Sequence, residues 1–219
     1  MITNSPKLVK GGLVVLDAAS GAVKRTIALQ YNPDTLTRSY QVQGAGGDGG
    51  AERAQPFRLK GPAIESIKLE AEIDATDSLE HPDQNANAVS FGIAPQLAAL
   101  ESLVNPTTTE LLALNAQSQA GTLEILPPVA PLVLFIWGTN RMVPVRVTEF
   151  SITEEAFDPA LNPIRAKVSL GLRVMTTDDL GFDNRGGSIF INYLRTREAL
   201  AGKTGAASLQ LLGLTGVPR

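Results

Sequence analysis

The sequence predicts a mainly β chain with flanking helices, and three stretches carry that prediction. In "IRAKVSLGLRVM" the apolar residues Ile164, Ala166, Val168, Leu170, Leu172 and Val174 fall at every second position. Ile67, Leu69, Ala71 and Ile73 alternate in the same way with Ser66, Lys68, Glu70, Glu72 and Asp74. Successive side chains of an extended chain point to opposite sides, so each stretch is a strand with one dry and one wet face. Between them the period changes. Leu97, Leu100, Leu103 and Val104 recur at helical spacing, and Asn105-Pro106 closes that helix.

Taken in order, the apolar run Leu13 to Leu16 is followed by the turn "DAASGA" and by Val23, Ile27, Leu29 and Tyr31 at odd positions, which makes a pair of strands. Pro33 cannot donate to a ladder and stops the second of them. Residues 43–61 contain six glycines and one proline and read as a flexible surface loop. The strand ending at Asp74 comes next, then the helical region 93–120, where "TTTELLALNAQSQAG" adds a second helix with Thr107 or Thr108 as its cap and Gly121 beyond its end. "ILPPVAP" is an extended connector, and "PLVLFIWG" is apolar throughout, as a strand covered on both faces would be.

"GTNR" turns the chain into "MVPVRVTEFSIT", where Val143, Val145 and Val147 hold odd positions but Phe150 and Ile152 hold even ones. One extra residue in the strand causes such a slip, so a β-bulge is predicted near Thr148-Glu149. "EEAFDPALNP" is a turn-rich loop into the strand 164–175, and the three strands form an antiparallel meander. "TTDDLGFDNRGGS" reads as a loop, Ser188 to Ala201 as a helix, and residues 202–219 as a glycine-rich tail. The division is one β domain over 1–180, then a C-terminal helix and flexible tail over 181–219.

Composition narrows the function. With 19 Lys and Arg against 22 Asp and Glu, the net charge of −3 gives no basic footprint for nucleic acid. Cysteine is absent, which removes disulfides and thiolate chemistry. The most apolar stretch, Val129 to Trp137, spans nine residues and includes Pro131, whereas a membrane helix needs roughly 20. A cytoplasmic chain without export signal or membrane insertion is the expectation.

Motifs for chemistry are weak. "GKT" at Gly202-Lys203-Thr204 lacks the glycine five positions earlier that a phosphate loop requires, because Arg197 stands there. Asp74, Asp77, Glu80, His81 and Asp83 cluster within ten residues, but not at the spacing of a calcium loop. Asp77 and Glu80 have the spacing of a capping box, so a solvated, capped turn is the better reading. His81, the one histidine, lies in a proline-flanked polar stretch, unsuited to a nucleophile relay. No catalytic, cofactor or metal residue is assigned, and no cofactor is expected. The basic line Arg165, Lys167 and Arg173, with Arg146 one strand earlier, is either a solvated face or a face toward another subunit or a polar channel. Phe135, Trp137 and Phe150 are expected in the core rather than as a ligand platform.

"ALQYNPDTLTRSY", "IKLEAEIDATDSLEHPD" and "PLVLFIWG…MVPVRVTEFSITEEAFDPALNPIRAKVSLGLRVM" fall in that order, with Tyr31-Asn32-Pro33, Asp74, Trp137-Gly138, Asp158-Pro159 and Arg165 as fixed points. Together, over roughly Leu13 to Met175, they resemble the tube-protein-like N-terminal domain of baseplates in contractile injection systems. Those are phage-tail-like particles whose sheath drives an inner tube and spike through a target envelope. Many relatives carry a LysM module. Residues 176–219 show nothing like one, so wall binding is not carried over.

The resemblance implies an antiparallel β-barrel or sandwich of the phage tail-tube type and a non-enzymatic subunit. It implies a homo-hexameric ring within a phage-tail-like particle, partnered by the spike hub and the inner tube protein. The wet face with Arg146, Arg165, Lys167 and Arg173 would then meet the lumen or a neighbouring subunit. A β-sandwich module for carbohydrate or peptide is the alternative, and it would need aromatic residues exposed together on one sheet face. Residues 202–219 are expected to lack amide-exchange protection in the isolated subunit and to gain it on assembly; strong protection in the free chain would contradict this.

Overall fold

The computed structural model describes residues 8–17, 20–44, 59–119, 130–205 and 208–216. Its centre is one seven-stranded sheet: β1 (Gly12–Leu16), β2 (Val23–Ala28), β3 (Leu36–Gln41), β4 (Ile64–Asp74), β5 (Leu132–Ile136), β6 (Met142–Phe157) and β7 (Pro163–Val174). The order across the sheet is β2-β1-β5-β6-β7-β4-β3, and every neighbouring pair is antiparallel. The meander β5-β6-β7 stands in the middle. The ladder does not close among the described residues: β2 and β3 are its two edges.

Alternation fixes which face is dry. Ile67, Leu69, Ala71 and Ile73 of β4 and Ala166, Val168, Leu170, Leu172 and Val174 of β7 are all buried, and they pack with Leu13, Val133, Phe135, Val143 and Val145 in one core. Phe135 is buried and stacks on Trp137 with ring centroids 5.9 Å apart, while Phe150 packs against the same core. In β6 the register against β7 shifts between Val147 and Glu149, where the change of phase predicts the bulge. Two further shifts, flanking Ala156, let this 16-residue strand bend.

Among the described residues six α-helices accompany the sheet: α1 (Thr76–Leu79), α2 (Ala86–Phe91), α3 (Ala94–Glu101), α4 (Thr108–Gln119), α5 (Thr177–Leu180) and α6 (Arg185–Ala201), and a 3-10 turn follows at Leu209–Leu212. Leu97 and Leu100 of α3 and Phe190 and Tyr193 of α6 enter the core. Thr107 caps α4: its hydroxyl accepts from the Glu110 amide at 3.2 Å while Glu110 accepts from the Thr107 amide at 2.8 Å. No helix among the described residues is long and apolar enough to cross a membrane.

Several elements differ from the sequence reading. β3 has no apolar alternation because it is an exposed edge, held only by β4. β6 continues through "EEAF" to Phe157, so the loop before β7 is confined to 158–162. "TTDD" forms α5 rather than loop, because Thr176 and Asp179 make a reciprocal capping box. Asp77 and Glu80 make no such box; Asp74 takes the capping role, accepting from the Thr76 amide at 2.7 Å. α6 begins at Arg185, three residues before Ser188, with the Asn184 side chain accepting from the Gly186 amide at 2.8 Å. Most of the glycine-rich loop 43–61 and of the connector "ILPPVAP", together with Gly121, lies outside the described residues.

One contact draws the sheet's flanks together. Gln30, just past β2, donates from Nε2 to the Asp74 carbonyl at 2.7 Å and accepts at Oε1 from the Asp74 amide at 2.9 Å. Its carboxamide thus pairs with the end of β4 as a strand's peptide group would. Beside this bridge lies a cavity of about 530 Å³ between β2, β4 and α3, lined in part by Ile27, Leu29, Ile73 and Leu100.

The joint between α2 and α3 rests directly on the start of β7. Gly92 has φ 56°, and a Cβ there would lie 2.0 Å from the Pro163 carbonyl oxygen, which also accepts from the Ile93 amide at 2.8 Å. Both the backbone conformation and the contact require glycine. Gly92→Ala is expected to destabilise the fold by about 1–3 kcal/mol, read as a lower denaturant midpoint with an unchanged slope.

Candidate functional site

Two polar assemblies stand out, one on the outer face of the sheet and one beneath α6. On the outer face, the odd residues of β7 look at acidic neighbours on both sides. Antiparallel register sets Arg165 opposite Asp74 and Lys167 opposite Glu72. Arg165 Nε lies 2.7 Å from Asp74 Oδ2, Lys167 Nζ 3.0 Å from Glu155, and Lys68 Nζ 2.7 Å from Glu149. Hydrogen bonds donated to the Asp74 and Glu155 carboxylates raise the proton affinity of Arg165 and Lys167 above the usual range. Burial alone would push the Asp74 carboxyl up, but hydrogen bonds from Thr76 and Arg165 hold it below the usual carboxylate range.

Arg173 reaches out of the sheet to Asp179 at 2.9 Å, joining β7 to the capping box of α5. Arg146 is different. It stands opposite Arg173 in the ladder, is exposed, and has no ion pair or hydrogen bond among the described residues. It borders a cavity of about 400 Å³ with Leu103, Val104, Pro131 and Met175. Of the four residues expected at a lumen or interface, three are thus neutralised within the chain and one is left over.

The second assembly was not anticipated. Glu65, at the start of β4, shares the dry face with Ile67 and Leu69, and its side chain is only 4% exposed. A carboxylate placed there needs compensating charge and hydrogen bonds. Arg38 supplies both, its Nε donating to Glu65 Oε1 at 2.6 Å. The Tyr193 hydroxyl donates to Oε2 at 2.9 Å, and Arg197 Nη1 lies 3.7 Å from the same oxygen. Tyr193 in turn accepts from Arg38 at 2.9 Å and from Arg197 at 2.6 Å.

Tyr40, directly opposite Glu65 in the β3–β4 ladder, completes the cluster. Its hydroxyl accepts from Arg38 Nη2 and from Arg197 Nη1, and both guanidiniums lie over its ring at 5.2 and 5.4 Å. Arg141, in the β5–β6 turn, adds a third guanidinium; burial, then the like charge of Arg38, push its proton affinity down. Spacing could have exposed the cluster. Arg38 and Tyr40 are two apart on one strand face, Tyr193 and Arg197 four apart on one helix face, and Glu65 has the parity of the dry residues.

Nothing in either assembly has the form of a reaction centre. His81 is exposed in the turn after α1, and Asp77, Glu80 and Asp83 gather no metal-ligating group among the described residues. Among the described residues the exposed aromatics are Tyr31, Tyr40, Phe91, Phe157 and Phe182; each belongs to a different part of the chain, and Tyr40 is engaged by Arg38 and Arg197.

A family model described as contractile injection system tube protein matches residues 15–182. No curated protein matches the chain. Among solved structures it is similar to a chain from one titled "Tail of empty GTA particle computed with helical refinement, C6 symmetry", at 13% identity and a TM-score of 0.29, covering 75% of this chain and 90% of that one.

Glu65→Ala would leave Arg38 and Arg197 facing each other over an apolar floor. Because both arginines keep some access to water, the expected loss is about 3 kcal/mol, the low end for a broken buried pair. Glu65→Gln, which keeps an acceptor for Arg38, should lose less. Denaturant unfolding of the two variants measures the difference, and Tyr193 fluorescence reports whether α6 has come away.

Proposed function

This chain belongs to the contractile injection system tube protein family, and on that premise we propose that it is a non-enzymatic ring subunit of the injection particle. Six copies surround a central channel and connect the spike hub to the inner tube. The observation that carries the proposal is the open sheet: β2 and β3 each present one side with no partner strand among the described residues. An unpaired edge offers a row of amides and carbonyls to any passing strand, a hazard in a monomer. A ring in which each copy meets the next by a rotation removes the hazard, because the last copy closes on the first.

Closure of the sheet into a barrel belongs to the same reading. Gln30 already joins the end of β2's flank to β4, and the cavity beside it marks where further pairing would complete the wall. Arg146, which has no partner among the described residues, is best placed of the four predicted residues to meet a neighbour or the channel. Arg165, Lys167 and Arg173 share that face but enter the assembly as neutral pairs, which presents a polar and weakly charged wall to the channel. The particle's work is mechanical transmission, done by surface complementarity.

Native mass spectrometry and negative-stain microscopy of the purified chain, alone and with tube and spike components, test the proposal. The expected result is a six-fold ring with a central opening. A subunit that stays monomeric and joins neither component overturns it.

A further inference from the structure

We propose that the arginine cluster at the start of β4 is a receptor for carboxylates, and that its occupant is the acidic turn Asp77–Asp83 of a second copy. Three guanidiniums, Arg38, Arg141 and Arg197, share one internal carboxylate. Glu65 has both oxygens engaged, by Arg38 and by Tyr193, so it has little left to offer Arg141. The Arg141 guanidinium makes no ion pair or hydrogen bond among the described residues, although the backbone carbonyl of Arg141 accepts from the Trp137 amide at 2.8 Å. The cluster therefore carries two positive charges beyond what the fold neutralises.

The hydrogen-bond inventory points the same way. A phenol has one proton to donate and two lone pairs to accept with. Tyr193 uses all three: it accepts from Arg38 and Arg197 and donates to Glu65. Tyr40 uses only its lone pairs, accepting from the same two arginines, and its O–H has no acceptor among the described residues. Tyr40 is 44% exposed. A polarised hydroxyl proton and the unused N–H groups of Arg197 thus lie on the partly exposed side of the cluster, and Arg141 adds its charge within reach of Arg38 and Arg197. Donors without acceptors around excess positive charge select an anion, and the Arg fork fits a carboxylate.

The same chain carries the complement. Beyond the other end of β4, Asp77, Glu80 and Asp83 are exposed on and after α1, and none has a cationic partner among the described residues. An 11-residue strand separates the two features by roughly 33 Å at about 3.3 Å per residue. A basic receptor and an acidic turn at opposite ends of one strand cannot meet within a copy. They fit each other between copies placed head to tail, a heterologous contact. The contact uses strand ends rather than sheet edges, so it goes beyond ring closure and either can fail without the other.

Sedimentation velocity of the full chain from about 50 to 500 mM salt tests it, since screening weakens exposed charge pairs over that range. Association that falls as salt rises is expected. Arg141→Glu should weaken it by about tenfold at low salt, and thermal unfolding of that variant checks that the subunit is still folded. Glu80→Lys combined with Asp83→Lys should weaken it equally. Mixing the two variants should restore association, because each then carries the other's reversed partner. Association that ignores salt and both reversals, or that the mixture does not restore, or a wild-type chain that stays monomeric at low salt, overturns the proposal. Six-fold rings that persist in Arg141→Glu while its salt-dependent association is unchanged would overturn this contact and leave the ring reading standing. Salt-dependent pairing without rings would do the reverse.

Discussion

A carboxylate buried beneath a helix is the constraint on which the rest of this fold hangs. Glu65 lies on the dry side of β4, where an uncompensated charge would cost several kcal/mol. Its compensation comes from three side chains on two separate elements: Arg38 on β3, and Tyr193 and Arg197 on α6. β3 has almost no apolar surface to bury, and α6 buries only a narrow stripe. Neither has much hydrophobic reason to dock where it does. The ionic and phenolic hydrogen bonds supply the register: they tie the edge strand and the last helix to one position on the sheet.

The outer face follows the opposite logic. There the cations of β7 meet acidic residues on β4 and β6 at ion-pair distance, each exposed enough that a single pair contributes little to stability. What the ladder does is cancel charge. Of the five cations on that face, Lys68, Arg146, Arg165, Lys167 and Arg173, Arg146 is the one without an ion pair among the described residues. Weak pairs arranged this way leave the surface hydrated and nearly neutral, which suits a wall along which other components pass or against which a copy rests without being trapped. The strongly charged places are pushed to the two ends of β4.

Much of this was legible in the sequence. Period-two alternation located β4 and β7, the phase slip located the bulge in β6, and Thr107 marked the start of α4. The resemblance of ordered segments pointed to the family before any coordinates. β3 was not legible, because an edge strand held on one side needs no apolar alternation. α5 hid in "TTDD", although Thr176 and Asp179 stand at capping-box spacing. The buried cluster was missed for a different reason. Its members come from residues 38, 40, 65, 193 and 197, and only the fold brings them together. Each local signal, such as the parity of Glu65, is ambiguous until a partner is known.

The open edges and the Gln30 bridge belong to one solution. A free subunit with two unpaired strands risks joining any chain that offers a strand. At one end of β2 the Gln30 carboxamide occupies the Asp74 amide and carbonyl, so that stretch cannot accept an intruder. Lys24 and Arg25 lie on β2 itself, and charge along an edge discourages indiscriminate pairing. Pairing then requires a partner that brings complementary groups and the right register together. In the proposed ring, a copy of the same chain would meet that requirement at every position, whereas a passing strand would meet it rarely. In that reading, selectivity of assembly comes from the charges along β2 and from the Gln30 carboxamide at its end, which narrow what the open edges accept.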